Sequence, residues 1–185
     1  MIDEILFDCE ERMESSIKAF ERQLAKVRTG RANPKMFDEI RVDYYGVPTP
    51  INQVGSIAVP EPSQLLIKPY DRSLVKEIEK AILAANLSVT PQNEGDQIRI
   101  VIPPLTEDRR RQLAKETKSS AEEAKVAIRN IRRDANDAIK KLEKSSDISE
   151  DDSKGYQDDV QKLTDQFIER IGSLAEAKEK DLMTV

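Results

Sequence analysis

The sequence has no histidine, no tryptophan and a single cysteine, Cys9, and each scarcity removes a class of chemistry. A histidine-based catalytic relay, a zinc site of the usual ligands and an intramolecular disulfide are all excluded. Such cysteine usage points to a reducing, cytosolic compartment, and the expected localisation is cytoplasmic. No apolar stretch approaches the roughly 20 residues that span a membrane. The residues after Met1 include Asp3, Glu4, Asp8, Glu10 and Glu11, the opposite of a basic targeting peptide, so the chain is expected to be soluble and unprocessed.

Proline is missing from both ends. All nine, Pro34, Pro48, Pro50, Pro60, Pro62, Pro69, Pro91, Pro103 and Pro104, lie in one central block. Because proline fixes φ and lacks an N–H, it punctuates strands and turns, whereas long proline-free tracts permit long helices. A length of 185 residues accommodates two domains, and 38% hydrophobic, 35% charged and only 4% aromatic residues favour helices with solvated faces.

The proline-free ends carry a helical period. In the first tract, Leu6, Cys9, Met13, Ile17, Phe20, Leu24 and Val27 form one stripe, with a helix stop expected near Thr29-Gly30 and Pro34 forbidding easy continuation. A second helix is expected from Thr106 as N-cap, with a seam of Ala121, Ala124, Ile128, Ile131, Ala135, Ala138 and Leu142. A third starts near Ser149 and carries Tyr156, Val160, Leu163, Phe167, Ile171, Leu174 and Leu182. At about 1.5 Å per residue these helices run roughly 40, 57 and 50 Å, which predicts an elongated antiparallel three-helix bundle within one chain, hence a monomer. Separate coiled-coil segments that oligomerise are the alternative.

Between the first two tracts the pattern alternates. Ile40, Val42 and Tyr44 face one way, as do Ile98, Ile100 and Ile102, and Gly55–Val59 and Leu65–Pro69 are further strand candidates. One amphipathic helix is expected from about Ser73 to Ala85, burying Leu74, Ile78, Ala81, Ile82 and Ala85. The fold class is therefore α+β: a discontinuous bundle of residues 1–30 and 105–185 with a small domain of residues 31–104 inserted. The chain crosses between them twice, at Thr29, Gly30 and Arg31 and at Pro103, Pro104, Leu105 and Thr106. This paired connection can act as a hinge, with Gly30 absorbing dihedral change, or as a rigid elbow.

Catalytic signatures are missing. Glu122-Glu123, Asp151-Asp152 and Asp158-Asp159 are neighbours that do not face each other on a helix. Asp147–Asp158 has the acid density of a calcium loop without its glycine or final glutamate, and Arg28-Thr29-Gly30-Arg31 lacks the rest of a phosphate loop. No metal or other cofactor is expected, and no enzymatic activity.

Net charge is −5, yet its distribution is uneven. Glu107–Lys144 holds 12 Lys and Arg against 8 Asp and Glu, while Ser145–Asp159 holds one lysine against six acids. Lys125, Arg129, Arg132 and Arg133 lie in a nine-residue stretch without an acid, and on a helical wheel all four point about 100–160° away from Ile131 in the core seam. Arg111, Lys115, Lys118, Asn136 and Lys140 extend that outward face. Arginine's planar fork grips phosphate bidentately and stacks on bases, which suits structured RNA. An ordinary solvated face with pairs such as Arg133 and Asp137 is the competing reading.

Five motifs, in order, resemble the bacterial ribosome recycling factor family: Lys26-Val27-Arg28-Thr29-Gly30-Arg31-Ala32, Tyr44-Tyr45-Gly46-Val47-Pro48-Thr49-Pro50, Pro103-Pro104-Leu105-Thr106-Glu107, Arg129-Asn130-Ile131-Arg132-Arg133-Asp134-Ala135-Asn136, and Asp158-Asp159-Val160-Gln161-Lys162-Leu163-Thr164. The resemblance runs essentially end to end. It implies an L-shaped molecule in which a β/α/β domain is hinged on the bundle. It also implies binding to the large ribosomal subunit after termination, and subunit separation driven by GTP hydrolysis on elongation factor G. On the same resemblance Arg129, Arg132 and Arg133 contact ribosomal RNA, with Arg28 and Arg31 beside the hinge placed to touch it.

Overall fold

A computed structural model describes residues 1–87 and 89–184. In chain order the elements are α1 (Ile2–Ala25), a 3-10 turn (Pro34–Phe37), β1 (Arg41–Tyr44), β2 (Val47–Pro50), α2 (Ile51–Val54), β3 (Gly55–Glu61), β4 (Gln64–Pro69), a second 3-10 turn (Arg72–Leu74), α3 (Val75–Ala84), β5 (Thr90–Asn93), β6 (Ile98–Val101), α4 (Glu107–Lys144) and α5 (Glu150–Met183). The chain is α+β and divides into two compact units: Met1–Val27 with everything from Asp108 onward, and Arg28–Glu107. Among the described residues no helix is long and apolar enough to cross a membrane.

The first unit is a three-helix bundle. Its core is Cys9, Met13, Ile17, Phe20 and Leu24 of α1, Ala121, Ile128, Ile131, Ala135 and Ile139 of α4, and Val160, Phe167, Ile171 and Ala175 of α5. Polar side-chain bonds, three exposed and one part-buried, join every pair of helices. Arg12 meets Asp134 at 3.0 Å and Gln23 meets Ser120 at 3.1 Å between α1 and α4, Arg170 meets Glu14 at 3.1 Å between α5 and α1, and Ser153 meets Glu143 at 2.8 Å between α5 and α4. The exposed ones contribute little energy, but all four agree on one register for the three helices.

Two seams differ in detail from their apolar pattern. On α4, Ala138 and Leu142 are only half-buried, while Ile139 is fully buried and Leu113 and Thr117 extend the core. On α5, Tyr156, Leu163 and Leu174 flank the core, and Ser153, Thr164 and Ala175 lie inside it. A bundle interior selects small residues where helices approach, and a hydroxyl is tolerated there when it finds an acceptor. Thr117 donates to the Leu113 carbonyl at 2.9 Å and Thr164 to the Val160 carbonyl at 2.7 Å.

Helix ends follow from local chemistry. α5 begins where the Ser149 hydroxyl accepts from the Asp152 N–H at 3.0 Å, and Glu150, Asp151 and Asp152 fill its first turn. The acid-rich span from Asp147 thus serves as a helix start. α4 closes in a Schellman arrangement, with Ser146 at φ +62°, its N–H donating to Glu143 and that of Asp147 to Leu142. α1 stops at Ala25, earlier than the expected Thr29-Gly30. Lys26 and Val27 donate three residues back, to Gln23 and Leu24, and the β-branched Val27 and Thr29 do not favour another helical turn. Gly30, at φ +79°, shapes the entry to the second unit instead of capping the helix.

The second unit holds an antiparallel sheet in the order β3-β4-β6-β5 and a separate hairpin, β1-β2. Leu65 and Ile67 on β4, Ile98 and Ile100 on β6, and Val75, Ile78 and Ile82 on α3 share one core with Phe37, Ile40, Val42, Ile51 and Val54. The strand-period residues Ile40 and Val42 point inward, whereas Tyr44 is 40% exposed. Two strands, β2 and β5, have no counterpart in the apolar pattern because each is short and carries proline. Pro91 is accommodated because β5 is an edge strand, and Pro48 and Pro50 because the hairpin has only two strands.

Candidate RNA-binding face

α4 presents the cationic stretch on the side away from its core seam, because Ile128, Ile131 and Ala135 commit the opposite side to the bundle. Arg133 is exposed and Arg129 and Arg132 are half-buried, as suits long side chains that can pack an apolar stem and keep a charged end hydrated. Val126, 50% exposed, adds an apolar point beside them.

Of the acids on α4 near these cations, Asp134 is engaged elsewhere, bound by Arg12 of α1, and no ion pair joins Arg133 to Asp137 among the described residues. Arg129 and Arg133 have neither a hydrogen bond nor an ion pair there, so their donors are available to an external acceptor. Lys125 differs: its ammonium lies 3.5 Å from Glu122, which makes it the weakest cation of the expected set. Arg132 donates from Nη1 to Gln161 Oε1 of α5 at 3.3 Å, and Gln161 Nε2 donates to Asp165 Oδ1 at 2.8 Å. Asn136, one turn beyond Arg132, keeps its Oδ1 buried without a partner among the described residues.

Lys125, Arg129, Arg132 and Arg133 are therefore brought together on one helix, whereas Arg28 and Arg31 belong to the other unit, half-buried and exposed respectively. Gln161 and Asp165 carried no expected role. Their i,i+4 spacing is visible in the sequence, but the Gln161 link to Arg132 bridges residues 29 apart and leaves no local signal.

Of the expected crossing residues, Gly30 and Leu105 lie beside each other within the second unit. A Cβ placed on Gly30 would lie 3.7 Å from Leu105 Cγ and from the Leu105 backbone nitrogen. The chain is tied in on either side of that point, the Ala32 N–H donating to the Pro62 carbonyl at 2.7 Å and the Ile102 N–H to Ser63 at 2.8 Å.

The hairpin turn of this unit displays aromatics. Tyr45 is 77% exposed at φ +49°, followed by Gly46 at φ +84°. The turn is held by Asp43 accepting from the Gly46 N–H at 2.8 Å and by the Tyr45 hydroxyl donating to Asp71 at 3.2 Å. Hydrogen bonds from Ser73, and then from Tyr45, hold the Asp71 carboxyl below its ordinary range. Buried Cys9 is the opposite case, its thiol pushed up by desolvation and so kept neutral and unreactive.

Comparison with known proteins converges on one family. The family model described as "Ribosome recycling factor" matches residues 20–183. The ribosome-recycling factors of Geobacillus sp. (strain WCH70) and Bacillus subtilis (strain 168) are 55% and 54% identical to this chain over all 185 residues, covering 100% of both sequences in each case. A solution structure of a ribosome recycling factor superposes with a TM-score of 0.86 at 41% identity, covering 100% of this chain and 98% of that one. A further structure, of the T. thermophilus ribosome recycling factor and E. coli elongation factor G bound to the E. coli post-termination complex, matches with a TM-score of 0.69 at 42% identity over 100% of both chains.

Proposed function

This chain belongs to the ribosome recycling factor family, and from that premise we propose that it binds the post-termination ribosome and, with elongation factor G, splits it into subunits for another round of initiation. It performs no bond chemistry of its own; GTP hydrolysis belongs to its partner. Its place of work is the cytoplasm, where the ribosomes are.

The observation that carries the reading at residue level is the pair of arginines, Arg129 and Arg133, left without partners among the described residues beside Arg132 on one helix face. A folded protein that keeps three guanidinium groups clear of carboxylates holds ready-made donors for phosphate and base edges. Large-subunit ribosomal RNA is the acceptor. Such donors supply affinity and orientation, and phosphate contacts make the affinity salt-dependent.

The second unit does the mechanical work. Thr29–Arg31 and Pro103–Thr106 form the hinge, where Gly30 at φ +79° has conformational freedom that other residues lack and the two prolines restrict the return strand. Arg28 and Arg31 add cations at this joint. Elongation factor G pushes the second unit while the arginine face keeps the bundle on the large subunit.

Light scattering of post-termination ribosomes tests this function. Rapid loss of scattering is expected only when this protein, elongation factor G and GTP are all present. Splitting at the same rate without this protein overturns the assignment.

A further inference from the structure

Among the described residues, Arg132 alone of Arg129, Arg132 and Arg133 bonds to another helix, donating to Gln161 of α5. We propose that Gln161 is a positioning residue, which holds the Arg132 guanidinium in an RNA-gripping orientation before the ribosome is met. This proposal rests on the reading of the α4 face as RNA-binding.

Gln161 and Asp165 lie on the same face of α5, one turn apart, and both are exposed. An ionised carboxylate only accepts hydrogen bonds, so the Gln161 amide must turn its nitrogen toward Asp165, as the 2.8 Å contact has it. That turns its oxygen toward Arg132, which likewise only donates, as the 3.3 Å contact has it. The Asp165–Gln161–Arg132 chain therefore has one consistent polarity, and the amide cannot flip without losing both bonds.

The arrangement occupies one guanidinium nitrogen and leaves the remaining donors of the fork for an outside acceptor. It is also neutral at the point of contact. A carboxylate in place of the Gln161 amide would compete with phosphate for Arg132, as Asp134 competes for Arg12 at 3.0 Å. The amide restricts the side chain without cancelling its charge, and the ordering entropy is lost during folding, not at binding.

The test measures dissociation constants for purified large subunits, at fixed magnesium and monovalent salt, for the full-length chain and four variants: Gln161→Ala, Gln161→Glu, Arg132→Ala and Arg132→Ala with Gln161→Ala. Thermal melts of each run alongside. Gln161→Ala is expected to weaken binding roughly three- to tenfold with an unchanged melt, as loss of preorganisation would. Gln161→Glu is expected to weaken it at least as much, and Gln161→Ala is expected to add nothing once Arg132 is gone.

Equal losses with and without Arg132 would mean that Gln161 meets RNA directly, which overturns the proposal. So would full binding by Gln161→Ala, or a fall in melting temperature that accounts for the weakened binding. If Arg132→Ala alone binds normally, the RNA-face reading fails and takes this proposal with it, an outcome separable from the others because it appears in the single variant.

Discussion

Replacing Arg129, Arg132 and Arg133 together by alanine removes the three guanidinium groups that face away from the bundle core, and the size of the effect follows from their lack of carboxylate partners among the described residues. Among the described residues Arg129 and Arg133 have no ion pair to lose and Arg132 loses only its bond to Gln161, so the fold should be little disturbed. Each phosphate contact releases condensed counter-ions, so three contacts steepen the dependence of log K on log salt by about 2 to 3. Between 50 and 200 mM salt the intact protein should therefore lose roughly 20- to 60-fold more affinity than the variant does. Equilibrium binding to large subunits over a salt series at constant magnesium measures this directly. Arg12→Ala is the control. It removes one positive charge from a side chain already paired with Asp134 at 3.0 Å, and its slope should match the parent. A triple variant with the parent's slope would refute the reasoning, and a slope that merely tracks net charge, Arg12→Ala included, would assign the effect to the whole molecule and not to this face.

Gly30→Ala should destabilise the second unit by about 1–2 kcal/mol, since φ +79° is strained for any residue with a Cβ, and urea denaturation measures the loss. Gly55→Ala should also destabilise, by about 1–3 kcal/mol, for a different reason: its backbone is extended, but the new Cβ would lie 2.7 Å from the Lys68 carbonyl oxygen. Acid should weaken the second unit through Glu94 and Asp71. The hydrogen bond from Arg99, then that from Gln97, holds the Glu94 carboxyl below 4.5, and the Ser73 hydroxyl and N–H hold Asp71 below 3.8. Because both folded-state values are depressed, their stabilisation is complete above those ordinary values and disappears as pH falls through the lower, folded ones. Glu94→Gln should accordingly flatten the decline in stability below about pH 4.5 in acid titrations followed by circular dichroism, and an unaltered curve would count against that pairing.

The long helices were legible because each repeats its apolar residues for many turns, and no proline interrupts them. Within them, the pattern could not separate Ile139 from Leu142, since both lie near the seam and the choice depends on where the neighbouring helices approach. Nor could it place Thr117 and Thr164 inside the core, because their hydroxyls are satisfied by carbonyls one turn back, a bond invisible to hydrophobicity. The sheet was read where strands are buried on one face, as at Ile98 and Ile100. It was missed at β2 and β5, whose prolines are allowed only because those strands have a free edge. The cationic face was legible from charge and helical angle alone. Its internal wiring was not: the Glu122 contact that ties up Lys125 and the Gln161 contact that holds Arg132 depend on rotamers and on helix packing.

The central claim is that the α4 arginines supply binding while the splitting step is driven through the second unit by elongation factor G. Light scattering of post-termination ribosomes, with elongation factor G and GTP saturating and the concentration of the Arg129, Arg132 and Arg133 triple-alanine variant varied, tests it most directly. The account predicts the parent's maximal splitting rate, reached only at concentrations tens of times higher. A maximal rate that collapses while half-saturation stays where the parent has it would contradict the account, because the arginines would then be acting in the splitting step itself.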